Sequence, residues 1–344
     1  MLVQVHIQTH THPHTYIRLP ARPNSNLKIT NIFQTKRGIG KSSSIFYLIS
    51  SSEELRDIIY LFISYMSISY GWGESFHFAP RLKGESFRES IKRYEHFIAL
   101  QLGLKPGMKG IGCGVRNCLT SITALNNNEY QLFRGIELNR IAGLDKTCDF
   151  VKPDFMKMPF PDDTFDAIYT IEGTCHAADV VGCYKEICRV LKPGQCFAAY
   201  EWCMTDSFDP NNQEHQKIRI LFRLCFLCIG DGLPDIRTTG KINEALIEAG
   251  FEVLWQKDVA AGSPVPWYLP LDNSPFSFSS FRAAAPGRFI TQYLVKFLEY
   301  IHIAPEGSHK VSSFLETAAK GLVEGGKKEI FTPHYFFVAR KPHE

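Results

Sequence analysis

The chain has 344 residues, 44% of them hydrophobic, and a formal net charge of +3. That length suits one large domain or a core domain with a smaller appendage, and the apolar content is ample for a core. The weak charge gives no basis for nucleic-acid binding, and ten cysteines without a second close pair exclude a zinc tetrad.

Residues 1–52 carry no Asp or Glu, six Lys or Arg, and four histidines in "HIQTHTHPH". Residues 1–69 read as a divergent basic leader, disordered or of transit-peptide type; no signal peptide is expected at its start. Within it, "IIYLFISYMSIS", 58–69, is apolar but too short for a confident membrane span, and suits a core helix or a segment lying against a membrane. Order is expected from Tyr70, where "YGWGESFHFAPR" brings aromatics and His77 to a loop-rich stretch able to line a cleft.

A helix is predicted over 86–102, with Phe87, Ile91, Tyr94, Ile98 and Leu102 at helical spacing. A glycine-rich turn, "GCG" at 112–114, follows "KPG". Further helices are predicted over 129–142, 180–191 and from 241. Strands are predicted at 148–152, 166–171, 196–202, up to 256, and 335–340. Strands alternating with helices indicate a mostly parallel α/β sheet. The Pro-, Phe- and Ser-rich start of 257–330, then helical, suggests a cap or second lobe. The organisation is a leader at 1–69, an α/β domain at 70–256 and a C-terminal region at 257–344 that returns a final strand to the sheet. Cys225 and Cys228 form one CxxC in an apolar run, and the cysteines are read as free thiols in a reducing compartment, with no metal site. The 26 Phe and 14 Tyr suit a lipid-like or flat apolar ligand, and equally a well-packed core.

Ligands of parallel sheets sit beyond the carboxyl ends of the strands. Asp154 and Phe155 follow one such end, Glu172 and His176 a second, and Tyr200, Glu201 and Asp206 a third. A carboxylate followed by an aromatic suits an adenine amine and its ring. Asp154 also suits a turn cap, Glu172 a solvated loop and His176 a core-edge histidine.

The runs "YGWGESFHFAPR", "ESIKRYEHFIALQLGLKPG", "GLDKTCDFVKPDFMKMPFP", "CYKEICRVLKPGQCFAAYEWCMTDSFDPNN", "GDGLPDIRTT", "SPVPWYLPLD" and "KKEIFTPHYFFVARKP" closely resemble sterol 24-C-methyltransferases, especially the plant cycloartenol-methylating type. The resemblance runs from about Tyr70 to Pro342. It implies a class I methyltransferase (Rossmann-like) fold with a sterol-methyltransferase C-terminal region. The implied cofactor is S-adenosyl-L-methionine, placed near Gly112, Gly114, Asn126, Asn127, Asp154 and Phe155. Trp72, Phe76, Phe78 and Trp267 are the implied sterol-lining rings. Glu172, His176, Glu201 and Tyr70 are the candidate catalytic groups. The implied setting is the cytoplasmic face of the endoplasmic reticulum membrane, with peripheral membrane contact and a homo-oligomer.

The implied chemistry is attack of a side-chain alkene on the sulfonium methyl, a hydride shift from C24 to C25, and loss of a proton from the new methyl. It requires alignment, π faces and carboxylates for cationic charge, and a proton acceptor. Three departures stand out. The family's glycine motif resembles VLDVGCGIGG, whereas here "IGCG" and "LNNNEYQ" remain and about ten residues between the family landmarks are missing, including the acidic residue before the glycines. Ile68 and Ser69 stand before Tyr70, where the family carries an aromatic-acidic pair. Residues 218–229 are apolar where the family is more polar. Exon misassignment and a divergent paralogue both account for these changes. The second functional reading is therefore an impaired homologue that keeps sterol or partner binding.

Overall fold

The computed structural model describes residues 5–6, 77–105, 107–110, 121–126, 129–141, 143–144, 146–152, 154–228, 235–272, 285–301 and 308–343. The apolar run 58–69, Tyr70, Trp72, Phe76, Gly112, Gly114, Asn127 and most of the basic leader lie outside these residues.

Helix α1 (Phe87–Gln101) begins at Ser86, whose hydroxyl caps Glu89 N–H while the Glu89 carboxylate returns to the Ser86 N–H. It buries Ile91, Tyr94, Glu95 and Ile98, a stripe at helical spacing. Strands β2 (Lys109–Gly110), β3 (Ser121–Leu125) and β4 (Cys148–Val151) run parallel, with α2 (Glu129–Ile141) between the last two. From the leader, β1 (Val5–His6) pairs antiparallel with Leu125 and Ala124, on the part of β3 that β2 leaves uncovered.

Strand β5 (Phe165–Ile171) is parallel to β6 (Leu191–Met204), and α3 (Val180–Val190) crosses between them. β6 starts earlier than the sequence suggests. Leu191 already pairs with Phe165, and Lys192–Gln195 loop out before pairing resumes at Cys196. Gly194 turns that loop at φ +74, and a Cβ there would fall 2.3 Å from the His343 ring. Asp166 ties the two groups of strands together, with Oδ2 accepting from Lys109 N–H at 2.8 Å.

Helices α4 (Gln213–Cys228) and α5 (Thr239–Glu248) follow, then β7 (Glu252–Asp258), α6 (Ala285–Tyr300), α7 (Ser308–Lys327) and β8 (Phe331–Arg340). The strands are mostly parallel, as expected, and the long C-terminal strand is an exception. β8 runs antiparallel and lies between β6 and β7, giving the order β5-β6-β8-β7. Every residue of β8 except Arg340 is buried. Tyr94 of α1 stacks on Tyr200, whereas Tyr184 of α3 meets Phe197 and Phe337, so helices cover both faces of the sheet. A second apolar cluster gathers Phe78, Trp202, Phe222, Trp267, Leu322, Val323 and Phe331 beyond the carboxyl end of β6. The six described cysteines outside α4 are free thiols.

Candidate active site

β5 stops at Ile171, and Glu172 turns away with φ +53, a left-handed backbone costing a non-glycine residue about 1–3 kcal/mol. The turn is held by Glu172 N–H donating to Tyr200 O at 2.7 Å. It carries the carboxylate inward, where Oε1 accepts from Phe78 N–H at 2.7 Å. Glu172 is 2% exposed, which rules out a solvated loop. Burial pushes its pKa up to about 7, against the pull of His77, the Phe78 amide and the Trp202 side chain.

His77 lies between two acceptors. Nδ1 is 2.8 Å from Phe78 O, and Nε2 is 3.2 Å from Glu95 Oε1. Burial lowers its pKa, but the Glu95 hydrogen bond and the charges of Glu95 and Glu172 outweigh burial and raise it. The geometry therefore favours the doubly protonated ring, which donates to both neighbours. His77 stacks on Tyr94, and the Tyr94 hydroxyl meets His334 Nδ1 at 2.8 Å. Burial, followed by the charge of His77, holds His334 well below the usual histidine range, so its ring is neutral.

Aromatic faces close this polar core. Phe78 meets Trp267 edge-on at 5.3 Å and Trp202 at 6.1 Å, and Phe331 packs against both indoles. Phe78, Trp267 and Glu172 are thus brought together. Glu201 turns elsewhere. Its Oε1 accepts from Thr174 N–H at 3.1 Å and from Thr174 Oγ1 at 2.5 Å, beside Tyr184 of α3. Burial pushes the Glu201 carboxyl up to about 7 as well. His176 stands half-buried at the end of the short 3-10 turn Thr174–His176.

On the other half of the sheet, Leu125 pairs with Val151, so Asn126 and Asp154 follow adjacent strand ends. Asn126 is buried and its N–H donates to Val151 O at 3.2 Å. Asp154 is exposed, and its Oδ1 caps its own turn at Met156 N–H, 2.8 Å. Phe155 is half-buried against the main core. An amide, an exposed carboxylate and a ring at neighbouring strand ends suit ribose hydroxyls, an adenine amine and an adenine face.

Tyr94, Trp202 and His334 were not among the site residues expected from sequence. The available signal was a polar residue inside a run buried on both faces, as in "FTPHYFF".

Parallel strands with helices on both faces, an antiparallel strand placed between β6 and β7, and polar groups at the carboxyl ends define a class I methyltransferase. Residues 109–199 match the family described as "Methyltransferase domain", and residues 278–343 match "Sterol methyltransferase C-terminal". The chain is 68% identical over 283 residues to the cycloartenol-C-24-methyltransferase of Arabidopsis thaliana, covering 79% of this chain and 83% of that protein. It is 43% identical over 294 residues to the sterol 24-C-methyltransferase of Yarrowia lipolytica, covering 80% and 76%. Among solved structures, the cyclopropane synthase MmaA2 of Mycobacterium tuberculosis aligns with a TM-score of 0.56 at 13% identity, over 85% of this chain and 95% of that one. The chain belongs to the sterol 24-C-methyltransferase family.

Proposed function

We infer that this chain transfers a methyl group from S-adenosyl-L-methionine to C24 of a sterol side chain, as a step of sterol biosynthesis with a cycloartenol-like substrate. The observation that carries this reading is the 68% identity to a cycloartenol-C-24-methyltransferase over 283 residues. When bound, S-adenosyl-L-methionine supplies an electrophilic methyl on a sulfonium. Asn126, Asp154 and Phe155 would hold its nucleoside, with Gly112, Gly114 and Asn127 completing the set. Phe78, Trp202 and Trp267 offer π faces to cationic charge. Glu172, hydrogen-bonded to the Phe78 backbone, supplies the buried negative charge beside them. With a pKa of about 7 it is also suited to accept a proton near neutral pH. His77 and Glu95 hold Phe78 and Glu172 in register, making His77 a positioning residue. His176 and Tyr70 complete the proposed catalytic set, Glu201 serves as a positioning residue through its bonds to Thr174, and Trp72 and Phe76 extend the sterol lining.

The proposed setting is the cytoplasmic face of the endoplasmic reticulum membrane, with peripheral contact and self-association. The reading is supported by a substrate that partitions into bilayers. No helix among the described residues is long and apolar enough to cross a membrane. The test is incubation of purified chain with methyl-labelled S-adenosyl-L-methionine and cycloartenol or lanosterol carried by cyclodextrin. Label in a sterol one methyl heavier supports the assignment. A folded chain that binds donor and sterol but transfers no label sinks it.

A further inference from the structure

Helix α6 has an inner side and an outer side of unusual character. Val295 is buried against its surroundings, and α6 packs on α7. The outer side carries Phe289, Ile290, Tyr293, Leu294, Phe297 and Tyr300, continued by Ile301, all between 38% and 81% exposed. At about 100° per residue these seven positions fall within an arc of roughly 140°. Such a face normally points into a core. Here it is the inward side that holds the smaller share of large apolar groups.

The charges around this face are equally uneven. Glu299 is the only acidic residue between Ala285 and Ile301. Its Oε2 accepts from His309 N–H at 2.7 Å, so the carboxylate is turned toward the start of α7. Lys296 is exposed and falls at the border of the apolar arc. An aromatic and aliphatic face with a basic edge and no carboxylate has the chemistry of a helix lying in a membrane interface.

A second copy of the chain is the competing occupant. A stable dimer asks for about 800 Å² per partner from roughly 20–30 residues. Seven side chains on one convex helix fall short of that, whereas a bilayer surface accepts a single helix. The fold also connects this face to the site. α7 packs between α6 and α4, and it contributes Ala319, Leu322 and Val323 to the cluster holding Trp267, Phe78 and Phe331.

We propose that the outer face of α6 docks the enzyme on a phospholipid bilayer, at the headgroup–acyl boundary, one helix layer away from the aromatic cluster beside Glu172. The choice of bilayer over protein rests in part on the sterol reading, because that substrate resides in the bilayer.

The test is flotation of the full chain with phosphatidylcholine vesicles, comparing the original with a Phe289→Ser/Tyr293→Ser/Phe297→Ser variant. The original is expected to float, and the variant to partition at least tenfold less. A Phe297→Trp chain supplies a readout that does not depend on the triple variant folding. Its added emission is expected to shift to the blue on vesicles and to be quenched by brominated lipid. Failure of the original chain to float, equal flotation of the folded variant, or an added indole that brominated lipid leaves unquenched would each overturn the proposal. So would a wild-type dimer by light scattering that becomes a monomer in the variant. Methyl transfer to cyclodextrin-borne sterol is measured on the same samples. Its loss with flotation intact would count against the sterol reading and leave the docking surface standing.

Discussion

Replacing Glu201 by Gln should stabilise the fold at neutral and alkaline pH. Glu201 is fully buried, and burial raises its carboxyl from an ordinary 4.5 to about 7. That difference costs the ionised folded state about 3 kcal/mol relative to a neutral side chain. Between pH 4.5 and 7 the folded chain holds a proton that the unfolded chain releases, so stability falls by about 1.4 kcal/mol per pH unit from this group. The loss is absent below the unfolded value and complete above the folded one. Glu172, also raised to about 7, adds a second loss of the same sign. Glutamine retains a carbonyl for the two Thr174 bonds. The two chains should therefore be about equally stable at pH 5 and differ by up to about 3 kcal/mol at pH 8, the variant being the stronger. Urea titrations followed by tryptophan fluorescence, in reducing buffer at pH 5, 6, 7 and 8, measure this directly. Profiles that stay parallel within about 0.5 kcal/mol would refute the assignment of Glu201 as a carboxylate ionised at a cost.

Glu172→Gln is expected to lower kcat by roughly 10–100-fold with a smaller change in KM, since it removes charge where cationic character develops; an unchanged kcat in a folded variant removes Glu172 from the mechanism. Trp267→Ala should cost about 3–5 kcal/mol in urea titration and weaken saturable sterol binding, because it empties a ring from the cluster with Phe78 and Phe331. Tyr94→Phe takes the hydroxyl from His334 Nδ1 and leaves that buried ring unsatisfied on both nitrogens, for a loss of about 1–3 kcal/mol; an equally stable variant means the ring has another partner. The donor should bind more tightly, by about one to two decades, to a version carrying the VLDVGCGIGG strand and helix than to this chain. Calorimetric titration decides, and equal micromolar binding by both versions would make the shortened glycine segment a tolerated variation.

The starts of α1, α2 and α3 and the strands after residue 147 were legible because their signals are local. Apolar positions recurring along 87–102 and 180–190 need no tertiary information. Strand direction was not local. Nothing in "YFFVAR" states that it enters antiparallel between two strands made earlier. The early start of β6 was hidden by Pro193 and Gly194, which suit a turn, although the backbone bulges and resumes pairing. Within the site, Glu172 could be named from a strand end and Phe78 from an aromatic run, whereas Trp267 entered only through the family resemblance. The relation among His77, Glu95, Tyr94 and His334 spans residues 77 to 334, and only the packing of α1 on β8 brings them together. Glu201 and Glu172 share a sequence signature, a carboxylate at a strand's carboxyl end, yet their side chains go to different neighbours.

The placement of β8 has a consequence for how the chain is made. β8 follows every other described element in sequence, yet it is the strand to which both β6 and β7 are hydrogen-bonded. During vectorial synthesis, β6 and β7 emerge with open edges and no partner for each other. Those edges stay unpaired until the segment through Arg340 clears the ribosome. Such a nascent chain presents the unpaired edges that favour aggregation or chaperone capture. Translation that ends a few dozen residues early would yield a product lacking the middle of its sheet, even though every residue proposed to touch the methyl donor had already been synthesised.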